Sequence, residues 1–195
     1  YDIPETGVTF SCDNAALQAV FDDCEQLLKQ NVQDFGGRKV LIEGAAYRNV
    51  WLETQPMGGE MYWKRNMTAA MNNQLLFMRT QRADGRIAGS IQCHPDGTIE
   101  PQFNKFQGFC FPLHALNMWY LSGKEPAYLD MLADCLEKFD AYLWKTRDSD
   151  GDGCLESFCV YDTGEDNALR YGHAPVYCTT DTPPEDADVV PMASM

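Results

Sequence analysis

The sequence predicts an all-α fold of antiparallel helices joined by alternately short and long connections. Three observations carry this expectation. Apolar residues recur at three- and four-residue steps over several stretches of the chain. No strand-like alternation longer than about four residues competes with them. The breaks fall at Gly36-Gly37, Gly85 and Gly123, and Pro112 and Pro126 open the later helical stretches.

The first helix follows Asp13, a capping residue type, and repeats Ala16, Leu17, Val20, Phe21, Cys24, Leu27 and Leu28 on one face to about Asn31. Gly36-Gly37 breaks the pattern, and Val40-Leu41-Ile42 reads as a short extended segment before Gly44. Residues 47–59 concentrate Trp51, Leu52, Glu53, Gln55, Pro56, Met57 and two glycines, the composition of a site-forming loop. A second helix is expected from Glu60 to Thr80, with Met67, Met71, Leu75, Leu76 and Met78 apolar and the methionines Met61, Met67, Met71 and Met78 as core filler. Residues 85–111, rich in Gly, Pro, Gln and aromatics, read as a long loop. A third helix starts after Pro112 and ends at Gly123. A fourth runs from Pro126 to Trp144, with Leu129, Leu132, Ala133, Leu136, Phe139 and Leu143 on one buried face. If the long connections gather at one end, they form a cup of polar and aromatic groups, the usual furnishing of a sugar site.

Composition narrows the functional classes. The 195 residues carry 29 Asp and Glu against 15 Lys and Arg, a formal charge of -14 that repels phosphate backbones and anionic membrane surfaces. Nucleic acid and membrane are therefore excluded as partners. The acid excess is concentrated after Asp148, where the only basic residue is Arg170. Eight cysteines without a CxxC pair give no zinc signature, and Cys24, Cys110, Cys135 and Cys159 read as buried free thiols in a reducing, cytoplasmic compartment. His94, His114 and His173 lack any metal-ligand spacing, which speaks against histidine chemistry. Tyr1 opens the chain without an initiator Met, and the apolar run Val189–Met195 closes it without turn chemistry; both predict a segment of something longer.

Two acidic stretches carry possible chemistry. Asp148, Asp150 and Asp152, followed by Gly153, resemble the start of a calcium loop, but Cys159 stands where a bidentate Glu would close it. The expectation is no cofactor, with calcium at these three aspartates as the one metal reading and an Asx-turn as the plainer one. Downstream, Asp162, Glu165 and Asp166 crowd three carboxylates into five residues, with Arg170 as the nearby cation. Crowding and enclosure raise a carboxyl pKa toward the range of a general acid.

The residues Gln81-Arg82-Ala83-Asp84-Gly85-Arg86, then Gln107, then Asp148-Ser149-Asp150-Gly151-Asp152-Gly153-Cys154-Leu155-Glu156, then Asp162-Thr163-Gly164-Glu165-Asp166-Asn167-Ala168 stand in an order that resembles glycoside hydrolase family 63, the processing α-glucosidase group. The trehalases of family 37 are relatives. The resemblance spans residues 59–170. It implies an (α/α)6 toroid of six-hairpin glycosidase type, with residues 1–195 as the N-terminal portion of a single catalytic domain, about the first half of the barrel, cut at both ends. It implies an inverting glycosidase acting on an oligosaccharide, Asp166 as general acid, and a general base Glu on the remainder of the barrel beyond Met195. Substrate binding then falls to Glu60, Trp63, Lys64, Gln107, Asn167 and Arg170, with Gln55 as a further hydroxyl binder.

This chain departs from the family pattern in its length, short of the twelve helices such a barrel needs, in Thr163 and Ala168 where the family has Ser, and at one binding position. Where the family has a Trp-Asp pair whose Asp holds sugar hydroxyls, it reads Trp63-Lys64, so either Glu60 takes the Asp's place or Lys64 has displaced it. A lysine there suits an acidic or phosphorylated sugar. It also opens a reading from another class, a carbohydrate-binding or scaffold protein with the same toroid and no chemistry. A calcium-binding helical protein is a third.

Overall fold

The computed structural model describes residues 8–44, 47–104, 111–164, 169–171 and 193–194. Four α-helices are present among them: α1 (Ala15–Gln30), α2 (Met67–Arg79), α3 (Phe111–Leu121) and α4 (Pro126–Thr146). The all-α expectation, and with it the (α/α)6 toroid, is overturned by the strands between them. β1 (Val32–Phe35) and β2 (Arg38–Leu41) form an antiparallel hairpin, and β3 (Asn49–Trp51), β4 (Ser90–Cys93) and β5 (Ile99–Gln102) form an antiparallel three-stranded sheet in that order. A short antiparallel pair joins β6 (Glu156–Ser157) to β7 (Ala193–Ser194). The fold is mixed, with helices and small sheets sharing one core.

Each hairpin follows from local chemistry. Phe35 pairs with Arg38 across Gly36-Gly37, a two-residue turn whose glycines both have positive φ, as a tight hairpin needs. The expected loop after Gly85 instead contains β4 and β5, linked by His94-Pro95-Asp96-Gly97-Thr98. There Asp96 Oδ1 accepts from the Thr98 amide at 3.0 Å and its hydroxyl at 2.7 Å. Those bonds hold the Asp96 carboxyl below its ordinary pKa.

α1, α3 and α4 lie close to their expected positions. α1 is capped by Asn14 rather than Asp13, the Asn14 side chain accepting from the Ala16 and Leu17 amides. None of its residues is buried, although its pattern predicted one buried face. Leu28 is half-buried against Leu41, Tyr62 and Ala69, whereas Leu17, Val20 and Leu27 are exposed. Cys24 is exposed as well, against expectation, while Cys135 and Cys159 are buried; Cys110 lies outside the described residues. Burial pushes the Cys135 thiol up to about 12, the mark of an inert core cysteine. All six cysteines among the described residues are free thiols. No helix among those residues is long and apolar enough to cross a membrane.

α2 is the centre of the molecule, buried on every side from Ala69 to Met78. Three of those buried residues are amides, and each has a backbone or side-chain partner. Asn73 meets the edge of β2 as a third strand would, its Oδ1 accepting from Leu41 N at 2.8 Å and its Nδ2 donating to Leu41 O at 2.9 Å. Asn72 Nδ2 donates to Lys39 O at 2.9 Å, and Gln74 Nε2 to Gln55 Oε1 at 3.2 Å. Side-chain amides thus close a sheet edge that would otherwise invite foreign strands.

Candidate functional site

The expected start of the second helix at Glu60 is replaced by a π-helical turn, Met57–Met61, and α2 begins only at Met67 under an Asn66 cap. Gly58 and Gly59 explain the change. A Cβ on Gly58 would stand 2.4 Å from Asn73 Nδ2, and one on Gly59 2.5 Å from Gln74 Nε2. The two glycines let the turn seat directly on the amide face of α2. π-turns of this kind are rare and are frequent at functional sites.

Glu60 projects from that turn toward α3. Its Oε2 accepts from Asn117 Nδ2 at 2.5 Å, and its Oε1 lies 2.8 Å from His114 Nδ1. The imidazole contact is short but off-line for a straight hydrogen bond. His114 and Asn117 stand one helical turn apart on α3, so a single carboxylate bridges both. Sequence spacing gave no hint of this, because the partners of His114 are distant in the chain.

The other end of the same loop meets the acidic segment. Glu53 rests against Gly164: a Cβ there would lie 2.1 Å from Glu53 Oε2. The turn Asp162–Gly164 is in turn anchored by a buried ion pair. Arg147, at the end of α4, donates from Nη1 to Asp162 Oδ2 at 2.6 Å, and the same oxygen accepts from the Phe158 amide at 3.0 Å. The Arg147 guanidinium also lies over the Phe158 ring, 5.2 Å from its centroid. One loop, 51–61, therefore touches both α3 and the turn that leads to Glu165-Asp166.

The remaining predicted residues divide. Trp63 is half-buried and packs on the main core, with Lys64 Nζ 5.7 Å from its ring centroid; Lys64 itself is exposed. Arg170 is exposed on a 3-10 turn, Leu169–Tyr171. Gln55 is fully buried, donating to Trp51 O at 2.7 Å, so its amide serves the fold and not a sugar. Gln107, Asp166 and Asn167 lie outside the described residues. The open cavities near Phe10 and Phe21 (about 360 Å³) and near Tyr128 and Met131 (about 260 Å³) include none of the predicted residues.

Asp148, Asp150 and Asp152 do converge, each offering an oxygen within 4.8 Å of the others, and the group could hold a metal ion. Backbone amides already cross the turn: Asp152 N donates to Asp150 Oδ1 at 3.1 Å, and Cys154 N to Asp152 Oδ1 at 2.7 Å. Glu156 is turned away from the group, its Oε2 accepting from the Ser149 amide and hydroxyl. The charge of Asp152, more than its hydrogen bond, raises the Cys154 thiol above its ordinary pKa. Searches of family models, curated proteins and solved structures return no match to this chain.

Proposed function

We propose that this chain carries the general acid of an inverting, α-glucosidase-like glycoside hydrolase. The observation that supports it best is the seat of Gly164 on Glu53. Two segments that the family resemblance assigns to one sugar site, the loop through Glu60 and the turn before Asp166, are neighbours in space although far apart in the chain. The buried Arg147–Asp162 pair gives that turn a fixed base.

In the proposed reaction, protonated Asp166 donates to the glycosidic oxygen as the bond from that oxygen to the anomeric carbon breaks. A second carboxylate, which the resemblance assigns to a Glu beyond Met195, takes a proton from water as the water oxygen bonds the anomeric carbon from the opposite face. Such a pair stands about 6.5 to 9.5 Å apart. Glu60, Trp63, Lys64, Gln107, Asn167 and Arg170 bind the sugar in this reading, and the protein works in the cytoplasm. A second reading, a sugar-binding protein without chemistry, is favoured by Lys64, a cation where the family places a hydroxyl-binding Asp.

Hydrolysis of α- and β-linked disaccharides by the intact natural protein tests the reading, with the first-formed anomer followed by NMR. Asp166→Asn is expected to lower an inverting activity about a hundred- to ten-thousandfold. Undiminished activity removes Asp166 from the chemistry, and sugar binding without turnover favours the second reading.

The acidic turn is proposed as a calcium site. Calcium titration of the intact protein by isothermal calorimetry, wild type beside Asp150→Asn, checks it: binding that the variant weakens at least about tenfold is expected, and no binding to wild type excludes the site.

A further inference from the structure

We propose that His114 is a direct sugar-contact residue, held in place by Glu60 and presenting Nε2 to a hydroxyl of the substrate. This rests on the glycosidase reading for the nature of the ligand and on geometry for the residue. His114 Nδ1 is itself inaccessible and lies 2.8 Å from Glu60 Oε1, yet the side chain as a whole keeps 18% of its exposure. The accessible part of the ring is therefore its other edge, which carries Nε2.

With Nδ1 buried beside the Glu60 carboxylate, Nε2 is the ring nitrogen left to meet a ligand hydroxyl. Asn117 steadies the other oxygen of the same carboxylate, so Glu60 is fixed from two positions on α3. The π-turn exposes Met57 and also Met61, expected in the core, and α3 exposes Leu113 and Tyr120, apolar surface on the two elements that carry the polar cluster.

Glu60 is the one charged residue of the π-turn, and α3 carries no Asp, Glu, Lys or Arg. Nothing in the cluster calls for an anionic ligand. Lys64, the cation that suggested one, is turned to the Trp63 ring.

The test is binding of methyl α-D-glucopyranoside and maltose to the intact protein by NMR titration, with wild type beside His114→Ala, His114→Gln and His114→Asn. Gln reproduces the position of Nε2 and Asn that of Nδ1. Loss of the contact should weaken binding about tenfold in His114→Ala, the worth of one hydrogen bond, and Gln should restore most of it while Asn does not. Restoration by Asn alone assigns His114 a structural role through Glu60 and overturns the proposal. So does unchanged affinity in all three variants, while the glycosidase reading survives that result. Binding that His114→Ala weakens and His114→Gln restores, in a protein whose wild type hydrolyses no disaccharide, does the reverse, keeping the sugar contact and removing the hydrolase. A wild type that binds neither sugar overturns the contact, and the disaccharide panel then judges the hydrolase separately.

Discussion

Asp162→Ala is expected to destabilise the protein by about 3–5 kcal/mol, the usual cost of breaking one half of a buried ion pair. Arg147 and Asp162 are 0% and 1% exposed, so the guanidinium left behind would lose its compensating carboxylate where water cannot replace it. The Phe158 amide would lose its acceptor at the same time. For a chain of this size the change corresponds to roughly 6–20 °C in Tm. Replacing both partners with apolar residues, Arg147→Met with Asp162→Leu, should recover most of the loss, since an apolar pair of similar volume carries no uncompensated charge. Urea denaturation of Asp162→Ala, of Arg147→Met and Asp162→Leu singly, and of the double variant closes the cycle. A single-variant loss below about 1 kcal/mol would mean that the pair is not desolvated, and the turn before Asp166 would lose its anchor.

Much of the helical framework was legible in the sequence, because a buried face repeated over three or more turns is a strong local signal. α4 shows it in part: of the expected face Leu132 and Phe139 are buried, Leu129, Leu136 and Leu143 half-buried and Ala133 exposed, because the buried side is turned toward Tyr128, Cys135 and Tyr142. Of the strands, only β2 was legible, in the extended segment Val40-Leu41-Ile42; the others were not. They are two to four residues long, and β3 finds its partner β4 only after the whole of α2 has intervened, so their pairing is written in tertiary contacts. The β4–β5 turn is the exception, since Pro95-Asp96-Gly97 is a turn signal that outweighs the loop reading of that stretch. α1 errs in the other direction. Its periodicity is real, but Leu17, Val20 and Leu27 remain exposed, and periodicity alone does not say that a partner exists.

The site shows the same division. Glu60 was singled out from its place beside Trp63, and the structure gives it partners. His114 was set aside for lack of spacing, and only the packing of the π-turn on α3 brings it to Glu60. Gln55 had the right chemistry for a hydroxyl binder but sits beneath the site, bonded to Trp51 and Gln74. Residue type identifies what can bind; burial decides whether it does.

The segment Gln81–Arg86 bears on fold before chemistry, and Gly85→Ala should show it with a loss of about 3–5 kcal/mol. Gly85 has φ +99° and lies so close to α4 that a Cβ would stand 2.1 Å from the Lys138 carbonyl oxygen. Neither partner can yield cheaply, because both are backbone. Gln81 Nε2 bonds Gly85 O at 2.8 Å and Cys135 O at 2.9 Å, and the fully buried Arg86 donates to the Tyr142 hydroxyl at 3.1 Å. A methyl group at Gly85 would therefore lift a turn that docks on α4 from Cys135 to Tyr142. Gly97→Ala is the matched control, with φ +87° and nothing within 4 Å of its Cβ, so it carries backbone strain alone, about 1–2 kcal/mol. The difference between the two variants in denaturation midpoint, at equal m-value, isolates the steric cost. Equal losses would mean that the turn does not approach α4, and the motif would need another role.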